Sequence, residues 1–557
     1  MSRSPLFSLV RRALRRARRE QLGRPLVSPL AQALPINLDR RRFLLGGAGA
    51  ALTLPLLHAC GSSLPQTLPV AIVGGGMGGV HAAYRLKQRG LLASIFEAST
   101  RLGGRMYTDR VTFAAPSGQH CELGGELIDS SHATIRDLAS ELGVELLNYH
   151  TDDASLSQLT AYLGGRSVTE AELLSSFAPI AAAIDHAWES AVDPNAMPSY
   201  TNENGMGDYD RMSISGFLDQ VGASGPARQL IEIAYTVEYG LEVSEQSALN
   251  LLWLISTDTE HLRLFGDSNE CFHCATGNDT LPLTLAAALD PSQVALEHRL
   301  VALSDEPGGR YRLTFDRPDG TRDVLADRVV LAIPFTLLRQ VDLSELSLPD
   351  IKRKAIAELG YGTNSKLMVG FASRPWRALG SNGQSFSDLG YQNTWETSRL
   401  QPGMDGIVTN FVGGQTGVRL GDGSDDKQRD GFLMQIDQVY PGTAAASTGK
   451  VARFVWPSHP YTLGSYACYK VGQWTTLSGA EFERVGNVLF CGEHTSLDAQ
   501  GFMEGAALTG AMVAEAIGAD LSLPAISALN VPARRIAARA KLALLHGSWI
   551  RALTRAA

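Results

Sequence analysis

The chain is organised around a short apolar run that breaks into glycines and then resumes as a helix-forming segment, Pro69-Val-Ala-Ile-Val-Gly-Gly-Gly-Met-Gly-Gly-Val-His-Ala-Ala-Tyr-Arg-Leu86. The run before Gly74 predicts a strand, and the residues after Gly79 predict a helix. Gly74, Gly76 and Gly79 fit G-x-G-x-x-G, in which the first glycine permits the turn and the third lets helix and strand pack closely. The second glycine lets a pyrophosphate approach the backbone, where the helix N-terminus presents free N–H groups.

A second apolar run, Leu91-Leu-Ala-Ser-Ile-Phe-Glu97, ends in an acid about 20 residues after the glycine turn. A carboxylate at this place can bind a ribose hydroxyl. The strand, the glycine turn, the helix and Glu97 together predict a dinucleotide-binding domain.

The segment directly behind this acid, Arg101-Leu-Gly-Gly-Arg-Met-Tyr-Thr108, fits R-x-G-G-R-x-x-[S/T]. With the glycine turn, it resembles the flavin monoamine oxidase family of FAD-dependent amine oxidases, in a bacterial exported form. The resemblance implies FAD rather than NAD and places Arg105 at the cofactor. Mammalian monoamine oxidases carry a cysteine bonded to the flavin where this chain has Ser465, and Cys468 lies three residues later. We therefore expect non-covalent FAD.

The resemblance also implies the fold, an α/β chain with a GR2-type Rossmann-like FAD-binding domain and an interleaved α+β substrate domain, as in monoamine oxidases. Family motifs follow in the expected order from about residue 68 to residue 518. They place the FAD-binding domain at 66–145, 276–343 and 458–520, and the substrate domain at 146–275 and 344–457. The first substrate portion is expected to be mainly helical.

Two motifs in the first part of the chain extend the implied cofactor site. Gly124, in Cys121-Glu-Leu-Gly-Gly-Glu-Leu-Ile-Asp129, corresponds to a family segment that passes close to the flavin ring. Val301 ends His298-Arg-Leu-Val301, which resembles the strand whose backbone meets the adenine.

The C-terminal motif pair resembles the second FAD signature of the family. Asn487-Val-Leu-Phe-Cys-Gly-Glu-His-Thr495 is an apolar strand that ends at Gly492 and Glu493. The resemblance places Glu493 at the ribityl and pyrophosphate part of the cofactor. It also implies that a helix beginning at Met503 aims its N-terminus at the flavin.

Three further residues are candidates for catalysis. Tyr466 and Phe502 match the aromatic cage of monoamine oxidases, and an aromatic face can orient a free amine without titrating against it. Lys366, in the apolar strand Thr363-Asn-Ser-Lys-Leu-Met-Val-Gly-Phe371, resembles the lysine that holds a water against flavin N5. The simpler alternatives are core aromatics and a strand lysine whose stem is buried.

The residue just past Gly124-Gly125 helps to predict the substrate class. Amino-acid oxidases of the family usually have an arginine there for the substrate carboxylate, whereas this chain has Leu127 beside Glu126. This favours oxidation of a primary or secondary amine, a monoamine or a polyamine, to an imine and aldehyde with O2 reduced to H2O2. Glu126 is open to two interpretations, a site for a second substrate cation or a structural acid. The alternatives are an L-amino-acid oxidase, a flavin desaturase and an electron-transfer flavoprotein that uses another acceptor.

The first 60 residues resemble a twin-arginine export signal, with Arg40-Arg-Arg-Phe-Leu44 before an uncharged stretch too short to span a bilayer comfortably. Leu57-His-Ala-Cys-Gly61 resembles a lipoprotein cleavage box, so Cys60 is expected to carry a lipid, with plain cleavage as the alternative. We expect a periplasmic or membrane-anchored protein. The basic tail over 521–557 is expected to lie on a membrane surface, to dock on a partner or to be a solvated helix.

Charge and cysteine usage exclude some other classes. The formal net charge is −8, although the first 60 residues carry eleven arginines against two acids. The body is therefore strongly acidic, which disfavours nucleic acid and suits a cationic substrate. Cys271-Phe-His-Cys274 lacks a second ligand cluster, so we predict buried cysteines and no metal site. The oligomeric state is left open.

Overall fold

This computed structural model describes residues 67–193 and 196–524. The expected export signal, Cys60 and the part of the basic tail beyond residue 524 lie outside the described residues. Within the described ranges, no helix combines the length and the apolarity needed to cross a membrane.

A five-stranded parallel sheet carries the glycine turn at its centre. Its strands, in spatial order, are Val294–Ala295, Ser94–Phe96, Ala71–Val73, Val329–Leu331 and Val488–Phe490. The last three are buried at every residue, because layers of structure cover both faces of the sheet. Val329–Leu331 lies in the apolar run Arg328-Val-Val-Leu-Ala-Ile-Pro334, and such a run is typical of a buried parallel strand.

Helices cover one face of this sheet. They pack around Ile72, Ile95, Val330 and Leu489. The helices are Met77–Gln88, Ala133–Leu142, Thr280–Ala287 and Met503–Asp520. The first and the last of them cross very closely, since a Cβ on Gly510 would lie 2.3 Å from the carbonyl oxygen of Gly78.

A four-stranded sheet covers the opposite face. Its strands, in spatial order, are Thr67–Leu68, Arg322–Ala326, Arg310–Asp316 and Arg299–Glu306. Phe96 of the parallel sheet stacks on Phe315, with ring centroids 4.5 Å apart. The pairing register shifts between Leu300 and Ala302, so Val301 lies at a bulge on the strand that the resemblance assigns to the adenine.

A seven-stranded mixed sheet forms the second large layer. Its strands, in spatial order, are Ser447–Val455, Ser365–Phe371, Gly406–Val412, Asn393–Glu396, Ser385–Ser387, Thr160–Leu163 and Arg166–Val168. Every residue of Ser365–Phe371 is buried, and this strand carries Lys366. The last two strands come from the segment expected to be mainly helical. They pair with each other as a hairpin, and Thr160–Leu163 also pairs in parallel with the distant strand Ser385–Ser387.

The remaining elements surround these sheets. Short two-stranded sheets pair Thr108–Asp109 with Cys121–Glu122 and Leu146–Asn148 with Phe272–Cys274. The other α-helices are His150–Asp153, Glu170–Trp188, Gly207–Asp210, Ile214–Gln220, Gly225–Tyr239, Ala248–Leu254, Phe335–Leu338, Asp350–Glu358, Pro375–Ala378, Gly414–Arg419, Asp425–Val439 and Trp474–Leu477. Short 3-10 helices cover Pro291–Gln293, Ala444–Ala446, Trp456–Ser458 and Glu493–Thr495.

The parallel sheet and the seven-stranded sheet take their strands from alternating portions of the chain, as an interleaved arrangement requires. The α/β fold class is confirmed by the solved structures described below. The exact domain limits stay a prediction.

Candidate active site

A cavity of about 550 Å³ lies between the carboxyl ends of the parallel strands and the seven-stranded sheet. This is the place where open α/β sheets bind their ligands. The cavity wall contains all but one of the thirteen residues singled out from the sequence: Gly74, Gly76, Glu97, Arg105, Gly124, Val301, Lys366, Tyr466, Gly492, Glu493, Phe502 and Met503. The exception, Gly79, lies behind the turn, where a Cβ would approach the carbonyl oxygen of Gly74 to 2.1 Å.

The glycine turn leaves open space where the sequence predicts a pyrophosphate. Gly74 has φ +106°, which disfavours any residue with a side chain. A Cβ on Gly76 would meet nothing closer than 3.9 Å, so the backbone there is open to the cavity. Gly76 caps the helix Met77–Gln88 without a side-chain hydrogen bond, which leaves N–H groups of the first turn available to an anion.

Glu97 is held rigidly at the end of its strand. Its Oε2 accepts a hydrogen bond from the Gly75 backbone N–H at 2.7 Å. Its Oε1 accepts from the backbone and the hydroxyl of Ser99, at 2.8 and 2.7 Å. The carboxylate is therefore preorganised at the cavity wall, with lone pairs left for ribose hydroxyls.

Arg105 and Glu493 join distant motifs in one contact. The Arg105 Nη1 lies 2.7 Å from Glu493 Oε1 and donates to the Ser465 carbonyl at 2.8 Å. The other oxygen of Glu493 accepts from the Gly501 backbone N–H at 2.9 Å. This network fixes the loop before the helix Met503–Asp520, and hence the direction in which that helix points.

Lys366 is buried and its ammonium is surrounded by acceptors. Its Nζ lies 2.7 Å from Glu126 Oε2 and donates to the carbonyls of Gly124 and Glu122 at 2.8 and 3.2 Å. The ammonium also lies 5.2 Å from the centre of the Trp395 ring. These contacts fix Lys366 at the cavity wall as a positioned cation.

Glu126 proves to be the partner of this lysine. Burial alone would raise the pKa of Glu126, but the Lys366 ammonium and the Thr397 hydroxyl hold it below its ordinary value. Its Oε1 accepts from Trp395 Nε1 at 2.8 Å and from Thr397 Oγ1 at 2.6 Å. Of the two interpretations left open by the sequence, these contacts favour the structural acid over a site for a substrate cation.

The aromatic pair lines the cavity from two segments. The Tyr466 hydroxyl donates to the Glu238 carbonyl at 2.7 Å, which fixes the ring. Phe502 precedes the helix Met503–Asp520 and packs edge-on against His132, with centroids 5.1 Å apart. The structure therefore brings both rings to the cavity that also contains Lys366.

Among the cavity side chains that the sequence did not reveal, four bear on the substrate. They are Glu238, Glu270, Trp395 and Phe411. Each lies in a segment without a recognisable motif, and only the fold brings them together. None of the four has a signal in the local sequence, and Glu270 stands out only in the structure, by its φ of +46°.

The two positions relevant to a covalent flavin differ in their surroundings. Ser465 lines the cavity, and its hydroxyl donates to Asn364 Oδ1 at 2.7 Å. Cys468 is fully buried, and its thiol lies near the Tyr469 carbonyl rather than at the cavity wall. All five described cysteines are buried and free.

His273, from the segment Cys271–Cys274, meets His120 and Glu122 in a buried cluster. Glu122 Oε1 accepts from His273 Nε2 at 3.1 Å and from the Asn278 backbone N–H at 2.8 Å. Its Oε2 accepts from Thr108 Oγ1 at 2.9 Å. Because the carboxylate is used by these donors, we interpret the cluster as a hydrogen-bond network.

Comparison with known proteins identifies the family. The family model described as flavin containing amine oxidoreductase matches residues 77–518. The chain belongs to this family. This flavin-containing amine oxidoreductase is 26% identical to polyamine oxidase 5 of Oryza sativa subsp. japonica, over 84% of this chain and 91% of that protein. It is 25% identical to an L-amino acid dehydrogenase of Synechocystis, over 80% of this chain and 94% of that protein.

A solved structure shows the same fold. Cyclohexylamine oxidase from Brevibacterium oxydans superimposes with a TM-score of 0.71 at 20% identity, covering 82% of this chain and all of that chain. The expected monoamine-oxidase-like fold is thereby confirmed.

This amine oxidoreductase is an FAD-dependent amine oxidase, as the resemblance implied. The open backbone at Gly76, the fixed carboxylate of Glu97 and the bulge at Val301 fit a dinucleotide along one side of the cavity. FAD supplies the two-electron acceptor that none of the protein's own side chains provides. The roles of the individual site residues stay predictions.

Proposed function

We propose that this enzyme oxidises primary or secondary amines that lack an α-carboxylate, with O2 as the electron acceptor. The amine loses two electrons and two protons to give an imine, and O2 gains them to give H2O2. Water then hydrolyses the imine to an aldehyde and ammonia or a smaller amine. The names of similar proteins, a polyamine oxidase and a cyclohexylamine oxidase, support an amine substrate.

The charge distribution around the cavity carries this proposal. Among the described residues, the arginines of the cavity wall are Arg101, Arg105 and Arg299. Arg101 donates to backbone carbonyls of its own motif, Arg105 binds Glu493, and Arg299 pairs with Asp316. The same wall contains the carboxylates of Glu238 and Glu270. A substrate carboxylate would therefore find no bidentate arginine partner in this wall.

The chain's own residues supply binding, orientation and exclusion of water. The faces of Tyr466 and Phe502 can attract an ammonium and then orient the neutral amine that oxidation requires. Trp395 and Phe411 add apolar surface, which reduces the access of water to the imine before it is released. Lys366 holds a positive charge and its protons at a defined point of the wall, where it can assist proton movement.

An L-amino-acid oxidase is the second candidate, because the chain is similar to an L-amino acid dehydrogenase. The deciding experiment is anaerobic bleaching of the bound flavin by matched pairs that differ only in the carboxylate. Phenethylamine with L-phenylalanine and cadaverine with L-lysine are suitable pairs. We expect fast bleaching by the amines and slow or no bleaching by the amino acids. Bleaching by the amino acids alone would replace the proposal with the second candidate.

The electron acceptor is tested in the same sample. After reduction by an amine, admission of air should restore the oxidised spectrum and release one H2O2 for each amine consumed. Slow reoxidation by air with fast reoxidation by a quinone would show that O2 is not the acceptor. If neither amines nor amino acids reduce the flavin, the result would favour the desaturase or electron-transfer alternatives.

We also propose that FAD is bound without a covalent link. Ser465 has no thiol, and the Cys468 thiol is buried against the Tyr469 carbonyl. Acid precipitation should leave the flavin in the supernatant. Flavin that stays with the precipitated protein would contradict this proposal.

For localisation, we propose export by the twin-arginine route and a lipid anchor at Cys60. Replacing Arg40 and Arg41 by lysine should retain the protein in the cytoplasm. Cys60→Ser should release it from the membrane into the periplasmic fraction. Membrane attachment that survives Cys60→Ser would shift the anchoring role to the basic tail.

A further inference from the structure

Glu270 lies in a loop that a buried carboxylate holds in place. Asp129 Oδ1 accepts hydrogen bonds from the Ser268 hydroxyl and from the backbone N–H groups of Asn269 and Glu270, at 2.9, 3.1 and 2.7 Å. Asp129 itself is only 1% exposed. The loop therefore has a defined conformation, and it presents Glu270 at the cavity wall.

The Glu270 side chain is available to a ligand. Its carboxylate has no hydrogen-bond partner among the described residues, although the residue is partly buried. Its backbone is in the left-handed region, which costs energy for any residue other than glycine and is frequent at ligand sites. The hydrogen bond to Asp129 offsets part of this cost.

Glu238 brings a second carboxyl group to the same cavity wall. It lies in the last turn of the helix Gly225–Tyr239, and its carbonyl accepts from the Tyr466 hydroxyl. Burial is the largest cause that raises the pKa of Glu270 to about 8, and the charges of Asp129 and Glu238 add to it. The charge of Glu238 therefore acts on Glu270. A cation beside Glu270 would favour the ionised form of this carboxyl group in the partly dry cavity.

The other residues of the cavity wall differ in which part of a substrate they can bind. Glu126 is already used by Lys366, so it does not compete for a substrate cation. Leu254, Trp395 and Phe411 supply apolar surface suited to a methylene chain. A substrate with two nitrogens could thus place one at the aromatic pair and the other at the glutamates.

We propose that Glu270, assisted by Glu238, binds a second cationic group of the substrate, so that the enzyme prefers diamines or polyamines to monoamines. The proposal rests on the function proposed above and specifies its substrate class. Glu270 is a specificity-determining residue in this scheme, and the oxidised nitrogen lies at the aromatic pair.

The test compares α,ω-diamines with n-alkylamines in which a methyl group replaces the distal ammonium. The measured quantity is the ratio of kcat/KM for the diamine to that for the monoamine at pH 9, where Glu270 is ionised. It is determined in the holoenzyme and in Glu270→Gln and Glu238→Gln. Glu245→Gln is the matched control, because it removes the same charge from an exposed residue that is not part of the cavity wall. Flavin occupancy and Tm verify that each variant is folded.

We expect the ratio of kcat/KM, diamine over monoamine, to exceed one in the wild-type enzyme. In Glu270→Gln this ratio should fall about tenfold to a hundredfold, mainly because KM for the diamine rises. Glu238→Gln should lower it by a smaller factor, and Glu245→Gln should leave it unchanged. A wild-type ratio near one would overturn the inference, as would equal losses for both members of a pair. If the wild-type enzyme oxidises the monoamine but does not prefer the diamine, only this inference fails. If it oxidises neither amine, the proposed function fails as well.

Discussion

Lys366 and Glu126 form a buried ion pair, with 2.7 Å between Nζ and Oε2 and side chains 4% and 2% exposed. The same ammonium donates to the carbonyls of Glu122 and Gly124. The position of the lysine is therefore set by the glycine-containing segment that the resemblance places near the flavin ring. A change in either partner should affect both stability and chemistry.

Removal of Glu126 should destabilise the protein. Glu126→Ala leaves a buried ammonium without its counter-ion, and we expect the free energy of unfolding to fall by about 3–5 kcal/mol. Denaturant titration of the holoenzyme measures this loss. The double variant Glu126→Gln with Lys366→Met, which buries no unpaired charge, should lose less. Equal losses in both variants would argue against the ion pair as the cause.

Lys366→Met should slow flavin reduction or reoxidation while FAD stays bound, because the methionine fills a similar volume without a charge or protons. We expect a loss of about tenfold or more in one half-reaction, within the range of assisted proton transfer. Stopped-flow absorbance separates the two half-reactions. Lys427→Met, at an exposed position, is the control. Wild-type rates in both half-reactions would remove Lys366 from the mechanism.

The combined variant Tyr466→Ala with Phe502→Ala should impair amine oxidation far more than FAD binding. Loss of two aromatic faces is expected to cost about 1–4 kcal/mol of amine binding and orientation, or about 5-fold to 1,000-fold in kcat/KM. Tyr466→Phe is the matched control, since it keeps the face and loses only the hydrogen bonds of the hydroxyl to the Glu238 and Val237 carbonyls. Should the double variant turn over like the wild type, the cage assignment would be wrong.

Glu97→Ala should weaken FAD binding. The variant removes a carboxylate that accepts from Gly75 and Ser99, and it also removes the predicted ribose contact. A charged hydrogen bond contributes about 1.5–3 kcal/mol, so the Kd for FAD should rise about tenfold to a hundredfold. Reconstitution of the apoprotein, followed by flavin fluorescence, measures it. Glu345→Ala, an exposed acid away from the cavity, should bind FAD normally.

The preference for diamines should depend on pH. Burial, Asp129 and Glu238 raise the pKa of Glu270 to about 8, and Arg399 opposes them. Glu270 is thus mostly protonated at pH 7 and ionised at pH 9, and only the carboxylate attracts a cation. The diamine-to-monoamine ratio of kcat/KM should rise over this range with a midpoint near 8. Deprotonation of the reacting amine affects both substrates and largely cancels in the ratio. A flat ratio would exclude titration of Glu270 as its source.

Local sequence determined the nucleotide-binding part of this protein. The turn at Gly74, the close packing at Gly79 and the strand-end acid Glu97 depend on backbone conformation and short spacing, which a motif records directly. The family, the α/β fold and FAD were therefore predicted correctly from these motifs. The helix predicted after the glycine turn is present as Met77–Gln88.

Tertiary structure alone decided which charged residues of the site meet. Glu126 meets Lys366 across 240 positions of sequence, and Arg105 meets Glu493 across 388. No local sequence pattern predicts such a pair, because a single acid or lysine looks the same in the sequence whether it is solvated or buried in the fold. Glu270 becomes significant only when the fold places it in the cavity wall with a left-handed backbone. Charged residues that are far apart in the sequence interact strongly in the folded protein, because they lie in one buried site with a low effective dielectric constant.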